Sequence, residues 1–274
     1  MRAAREAWRR LEPVHGMIYF VPEGPERYAA LGLDGAAGYF ASRSAAFGRA
    51  SAEVVIATFY NFHPDLVRAA LPAAWEKATP EQVLAARLDA AGAALRRAGI
   101  HRVDGLDEIL GLATRAAEAA RDHLHGRPLF AAHAALPWPD EPIDRLWHAQ
   151  TLLREFRGDG HVAALTDAGV APLEALVLHA ATGTIPTPFL KATRSWPADE
   201  WAATEEALRA RGLLDGDELS AEGKAFRQRI EDRTDELALP AYAALGEDGC
   251  ERLADLARPF GRAVVSAGLL NPAG

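Results

Sequence analysis

Apolar positions recur with a helical period along almost the whole chain, and no alternating β-branched stretch between turns is long enough for a real sheet. Prolines separate the periodic stretches. The pattern predicts a mostly α-helical fold with helices over residues 3–20, 35–47, 50–61, 64–74, 79–98, 107–125, 142–157, 159–168, 171–182, 187–195, 197–212, 219–240 and 248–267.

Several helix starts and one boundary have a local cause. Thr79 precedes Pro80, which places a hydroxyl cap before a proline at the first helical position. Ser220 stands in the same way before an acidic first turn. The segment 136–142 is the most proline-dense in the chain. We therefore predict two halves, residues 1–140 and 141–274.

Composition narrows the class of protein. The 274 residues are 49% hydrophobic and 25% charged, which is typical of a globular chain, and the single Cys250 indicates a small buried hydrophobe. A net charge of −8 opposes a broad phosphate-binding surface. No apolar stretch approaches the roughly 18 residues that a membrane span needs. We expect a cytoplasmic protein without a membrane or nucleic-acid partner.

The two halves share an order of signals. In each, one helix is followed by a short helix ending in a tryptophan, Trp75 or Trp196, and then by a longer helix. The longer helices end in the similar stretches 95–100 and 208–213, and a long amphipathic helix follows each. This order predicts an internal duplication.

The stretches 208–214, 215–218 and 219–224 resemble the end of the recognition helix, the wing and the start of the last helix in MarR-type winged-helix regulators. The first half, with its wing position at 101–105, matches less well. Such regulators are homodimers, so the resemblance implies an all-α fold with minor β wings, a tandem winged-helix pseudo-dimer that is a monomer or weak oligomer. Segments 12–15, 38–43, 57–62 and 153–161 also resemble a poorly characterised group of actinobacterial helix-turn-helix-like proteins, which implies no activity.

The predicted recognition helices are poorly suited to DNA. In the second half, the helix and the wing carry only carboxylates where cations would hold phosphates: Asp199, Glu200, Glu205, Glu206, Asp215, Asp217 and Glu218. The leading turns of the first-half helix offer only Gln82 for reading a base. We predict that DNA binding has been lost.

The stretch 154–161 departs from simple helix packing because Gly158 and Gly160 interrupt good helix formers. One interpretation is a break or close backbone approach that arranges Arg157, Asp159 and His161 about a kink facing a cavity or the other half, where Arg157 and His161 would contact a ligand together with Arg43. The alternative is an ordinary helix end followed by an Asp-capped helix.

Other polar residues could line a site. Tyr39 and Arg43 lie one helical turn apart, where a ring and a bidentate guanidinium suit an aromatic anion. The remaining candidates for ligand binding are His15, Tyr60, Asn61, His148 and Arg154, each of which has an ordinary structural alternative as a core, capping or surface residue. The histidines lack any short-spaced metal motif, and no particular cofactor is indicated.

The leading hypothesis is a small-molecule-binding protein whose aromatic or anionic ligand lies at the junction of the halves. The resemblance supports it, because MarR-type proteins commonly bind aromatic carboxylates beside the dimerisation helices. Two alternatives stay open. One is a MarR-like transcriptional regulator with a basic surface elsewhere, and the other is an enzyme using His161 and Asp159 as an acid–base pair.

Overall fold

The structure is a computed structural model that describes residues 1–271, and it is 74% helical with a single two-stranded sheet. The all-α class with a minor β element is confirmed. In chain order the helices and strands are α1 Arg2–Gly16, α2 Glu23–Ala30, α3 Gly35–Ser44, α4 Ala52–Phe59, α5 Pro64–Ala70, α6 Ala74–Lys77, α7 Pro80–Arg97, α8 Leu106–Ala120, α9 Pro128–Ala134, α10 Pro142–Asp167, α11 Pro172–Ala180, α12 Thr187–Arg194, α13 Ala198–Ala210, β1 Leu214–Asp215, β2 Glu218–Leu219, α14 Ala221–Ala243 and α15 Gly246–Ser266.

Both capped helix starts are confirmed. Thr79 accepts a hydrogen bond from the N–H of Gln82, whose side chain bonds back to the Thr79 N–H, so the two residues form a full capping box. Ser220 accepts from the N–H of Gly223. Helices α2 and α9 were not predicted, because each is a single short element without a long apolar period.

The break predicted within residues 154–161 is wrong, because α10 runs without interruption through both glycines. Close approach explains Gly160: a Cβ there would lie 3.0 Å from Nη1 of Arg127 and 3.2 Å from Cβ of Leu237. Glycine at this position therefore lets Arg127 and α14 pack directly against α10. Its cost in helix propensity is offset by that packing.

The second half contains a helix–turn–helix followed by a hairpin. Helices α12 and α13 lead into β1 and β2, which pair antiparallel with Leu214 opposite Leu219. Glycine at position 223 lets the start of α14 pack against the hairpin, because a Cβ there would lie 2.0 Å from the carbonyl oxygen of Leu213. In the first half the predicted wing at 101–105 is wrong, because a 3-10 helix at Ile100–Arg102 stands in its place.

Helix α10 is the centre of the packing. It contacts α1, α7, α8, α9 and α14, while α1 packs along α15 and α8 packs against α14. The largest apolar cluster is shared by helices from both sides of residue 140. Two smaller clusters belong to one side each, one mainly to α3–α7 and one mainly to α11–α14. The predicted division at residue 140 and the duplication stay predictions.

Within residues 1–271, no single helix is long and apolar enough to cross a membrane. Helices α10 and α11 reach that length and composition only as a pair bent by 106°.

Candidate functional site

A group of aromatic and basic side chains gathers where α10 meets α1, α3 and α7. We call Tyr19, Tyr39, Arg43, Arg87 and Arg154 the arginine–tyrosine cluster. The guanidinium carbons of Arg43, Arg87 and Arg154 lie 5.5, 5.5 and 5.3 Å from the centroid of the Tyr19 ring. Cations over an aromatic face are attracted to it, so Tyr19 organises the three positive groups.

The predicted pairing of Tyr39 with Arg43 is observed. One helical turn apart on α3, they are joined by a hydrogen bond of 3.0 Å from Nη1 of Arg43 to the Tyr39 hydroxyl. The same guanidinium lies 4.1 Å from the ring centroid of Phe59. Arg43 is half-buried, so this part of the cluster reaches the protein surface.

His15 connects the cluster to α10 through a chain of hydrogen bonds. The Thr151 hydroxyl donates to the carbonyl of Trp147 at 3.0 Å, so its oxygen accepts from Nδ1–H of His15, also at 3.0 Å. This assigns the neutral tautomer in which Nε2 accepts from the Tyr19 hydroxyl at 3.1 Å. Burial and the nearby Arg87 lower the pKa of His15 well below its ordinary value, which agrees with a neutral ring.

Arg87 is the most buried cation of the cluster. It is 4% exposed, and its guanidinium donates to the hydroxyls of Ser42 and Tyr19 only at 3.4 Å. Those contacts are long for hydrogen bonds that hold a charge. The guanidinium carbon also lies 5.4 Å from the Trp147 ring centroid.

The carboxylates near the cluster are already engaged. Glu12 forms an ion pair with Arg154, and Glu155 lies 4.0 Å from the same guanidinium. Among residues 1–271 no carboxylate forms an ion pair with Arg43 or Arg87. The cluster thus holds more positive than negative charge at a place where water is largely excluded.

Several buried donors in this region have no acceptor among the described residues. They are Nε of Arg43, Nε of Arg87 and Nε1 of Trp147. Buried polar groups are nearly always hydrogen-bonded, and leaving one unpaired costs about 1–3 kcal/mol. All three are N–H groups, so the acceptors that would satisfy them are oxygens such as those of a carboxylate.

Three predicted ligand contacts lie elsewhere. The Tyr60 hydroxyl donates to the carbonyl of Val170 in the turn between α10 and α11, and the Asn61 backbone carbonyl accepts from Trp196, between α12 and α13, at 3.0 Å. His148 packs edge-on against Trp138, and burial lowers its pKa to about 4.

The three residues of the predicted kink contact different partners. Arg157 forms ion pairs with Asp235 at 2.6 Å and Glu231 at 3.0 Å. Nδ1 of His161 lies 3.0 Å from the Thr234 hydroxyl, whereas Asp159 accepts from the N–H of Phe130 on α9. The orienting contact of an acid–base pair is therefore made to His161 by Thr234 and not by Asp159.

Asp159 offers a test by pH. Burial raises its pKa to about 7, although the Phe130 N–H lowers it. Between its unfolded pKa of about 4 and pH 7, folding takes up a proton here, so stability falls as the pH rises through that window. We expect Asp159→Asn to be more stable than the parent at pH 8 by up to about 4 kcal/mol, because the folded pKa lies about three above the unfolded one, and equal to it below pH 4, measured by urea unfolding. A difference that does not change with pH would contradict this assignment.

Two residues of the cluster that the predictions omitted have a recognisable pattern in the sequence. Arg87 lies in the apolar stripe of α7, four residues after Val83 and three before Ala90, where a cation is unexpected. Tyr19 follows His15 by four residues, the spacing of side chains that meet on one helical face. Trp147 and Glu155 gave no such signal, because their roles depend on how α10 packs.

The surface of α13 is acidic, as predicted. Asp199, Glu200 and Glu206 are exposed, and so are the hairpin residues Asp215, Asp217 and Glu218. Arg209, the cation nearest the hairpin, lies within 3.4 Å of both Glu206 and Asp217. The cation at the end of α13, Arg211, is 2.6 Å from Glu174. The guanidinium groups of Arg209 and Arg211 are thus both paired with neighbouring carboxylates.

Comparison with protein families gives a match over nearly the whole chain. The model of a family described as a helix-turn-helix family matches residues 4–271. No curated protein and no solved structure gives a significant match. Within residues 1–271, no three His, Cys, Asp or Glu side chains are grouped so as to hold a metal ion.

Proposed function

The chain belongs to the helix-turn-helix family, and from that premise we propose that it binds a small aromatic carboxylate at the arginine–tyrosine cluster, with winged-helix units that no longer bind DNA. The observation that carries this proposal is the pair Arg43 and Arg87, whose guanidinium groups lack a carboxylate partner. A buried charge without a counter-charge is costly, and an anionic ligand supplies the missing partner.

The shape of the cluster favours an aromatic anion over a simple inorganic one. A carboxylate accepts bidentate hydrogen bonds from a guanidinium, while the rings of Tyr19, Tyr39 and Phe59, whose faces lie against Arg43, surround it with aromatic edges that suit an aromatic ligand. The cluster draws Tyr19, Tyr39, Arg43 and Arg87 from residues 1–140 and Arg154 from α10. This origin supports a ligand position between the two halves that the sequence predicts.

The loss of DNA binding is supported by electrostatics. Residues 172–219 carry eight carboxylates against four lysines and arginines, so the helix–turn–helix and hairpin are net negative. At close range to a duplex, exposed carboxylates repel phosphates where salt screens them least. Recognition helices instead present arginine, lysine, asparagine or glutamine to base edges.

Calorimetric titration with salicylate tests the proposal. Salicylate should bind the parent protein, and salicylamide, its neutral analogue, should bind at least about tenfold more weakly, because hydrogen bonds to charged groups contribute about 1.5–3 kcal/mol each. Arg43→Gln should weaken salicylate binding by a similar factor.

The matched control is Arg252→Gln, which removes an exposed arginine that forms a pair with Glu108 away from the cluster. Salicylate affinity should be unchanged in this variant. Equal affinities for salicylate and salicylamide, or equal losses in the two variants, would contradict the proposal.

A further inference from the structure

The groove between α1 and α15 is lined by arginines and is separate from the arginine–tyrosine cluster. Its walls carry Arg9 and Arg10 from α1 and Arg258 and Arg262 from α15. The groove is shallow and open to solvent, with about 330 Å³ of space along it. The chain as a whole is negative, at −8, so this concentration of cations contrasts with the rest of the molecule.

The arginines are held in place by shared carboxylates. Glu6 lies 3.0 Å from Arg9 and 3.2 Å from Arg10, and Asp255 lies 3.3 Å from Arg10 and 3.2 Å from Arg258. Each carboxylate thus bridges two guanidinium groups. These contacts bring the guanidinium groups of Arg9, Arg10 and Arg258 close together along the groove.

The two carboxylates do not neutralise all of the positive charge in the groove. Glu6 and Asp255 form ion pairs with three arginines. The fourth, Arg262, is exposed and forms no ion pair among the described residues. Guanidinium groups match the geometry of phosphate oxygens in a bidentate manner. The groove is therefore suited to a ligand with more than one phosphate group.

At the base of the groove, α15 lies close to α1. Gly261 brings α15 close to α1, since a Cβ there would lie 2.8 Å from the carbonyl oxygen of Arg10. The cations lie along a shallow groove between two helices. A DNA duplex is read by elements that protrude into its grooves, so a small ligand fits this geometry better.

We propose that the groove between α1 and α15 is a binding site for a small molecule bearing two or more phosphate groups. Arg9, Arg10, Arg258 and Arg262 contact the phosphates. This site is independent of the carboxylate site and requires no contribution from the helix–turn–helix.

Calorimetric titration of the full chain with inorganic pyrophosphate tests the site. Pyrophosphate should bind more tightly than monophosphate, with an affinity that falls as salt is added. The double variant Arg258→Gln/Arg262→Gln should lose at least about tenfold in pyrophosphate affinity, because two charged contacts are removed.

The control is again Arg252→Gln, which changes an exposed arginine of the same helix outside the groove. Its pyrophosphate affinity should equal that of the parent. Equal losses in the double variant and the control, or no pyrophosphate binding by the parent, would overturn the proposal. Binding of a 20-base-pair duplex that needs Arg258 and Arg262, without pyrophosphate binding, would also overturn it.

Discussion

Arg87→Met should raise the free energy of unfolding by about 1–2 kcal/mol and abolish salicylate binding. Arg87 is 4% exposed, its hydrogen bonds are 3.4 Å long and no carboxylate neutralises it. Methionine fills a similar volume without the cost of burying a charge. A gain in stability together with a loss of binding is what a group retained for a ligand should show.

Urea unfolding and salicylate calorimetry measure the two effects separately. The control is Arg252→Met on α15, where an exposed arginine is paired with the half-exposed Glu108, and its effect on stability should stay within about 0.5 kcal/mol. Destabilisation by Arg87→Met, with salicylate affinity retained, would show that Arg87 holds the fold together and does not serve a ligand.

Arg157→Met should lower the free energy of unfolding by about 3 kcal/mol. Arg157 is 7% exposed and joins α10 to α14 through Asp235 and Glu231, and Asp235 is itself 8% exposed. Removing one member of a buried ion pair leaves a carboxylate poorly compensated, since only Arg5 then remains beside Asp235. Salicylate affinity should not change, because Arg157 lies outside the cluster.

An exposed pair on α14 provides the comparison. Arg233→Met breaks the contact with Glu236, where both side chains are about half-exposed, and should cost less than about 0.5 kcal/mol. If Arg157→Met proved as mild as Arg233→Met and weakened salicylate binding instead, Arg157 would be a ligand contact, as the sequence hypothesis had it.

The sequence predicted most long helices because their causes are local. The capping residues Thr79 and Ser220 each bond to a backbone N–H three residues away, so their effect depends on no distant part of the chain. The interruption predicted around Gly160 failed for the opposite reason. What that glycine accommodates is Arg127 and Leu237, which are distant in sequence.

The candidate site was predictable only in part for the same reason. Tyr39 and Arg43 meet across one helical turn, and a spacing of four residues identifies them. The contacts of His15 with Thr151 and of Arg87 with Tyr19 join residues far apart in the chain. Only the packing of α10 against α1 and α7 brings these groups together. Spacing alone also placed Arg157, Asp159 and His161 in one site, although they face different helices.

The most direct test of the carboxylate site is X-ray diffraction from crystals of the protein with 5-iodosalicylate, recorded for the anomalous signal of iodine. The account predicts a bound molecule at the arginine–tyrosine cluster with its carboxylate within hydrogen-bonding distance of the guanidinium groups of Arg43 and Arg87. Anomalous density only at other surfaces, or a cluster with no iodine peak under saturating ligand, would contradict it.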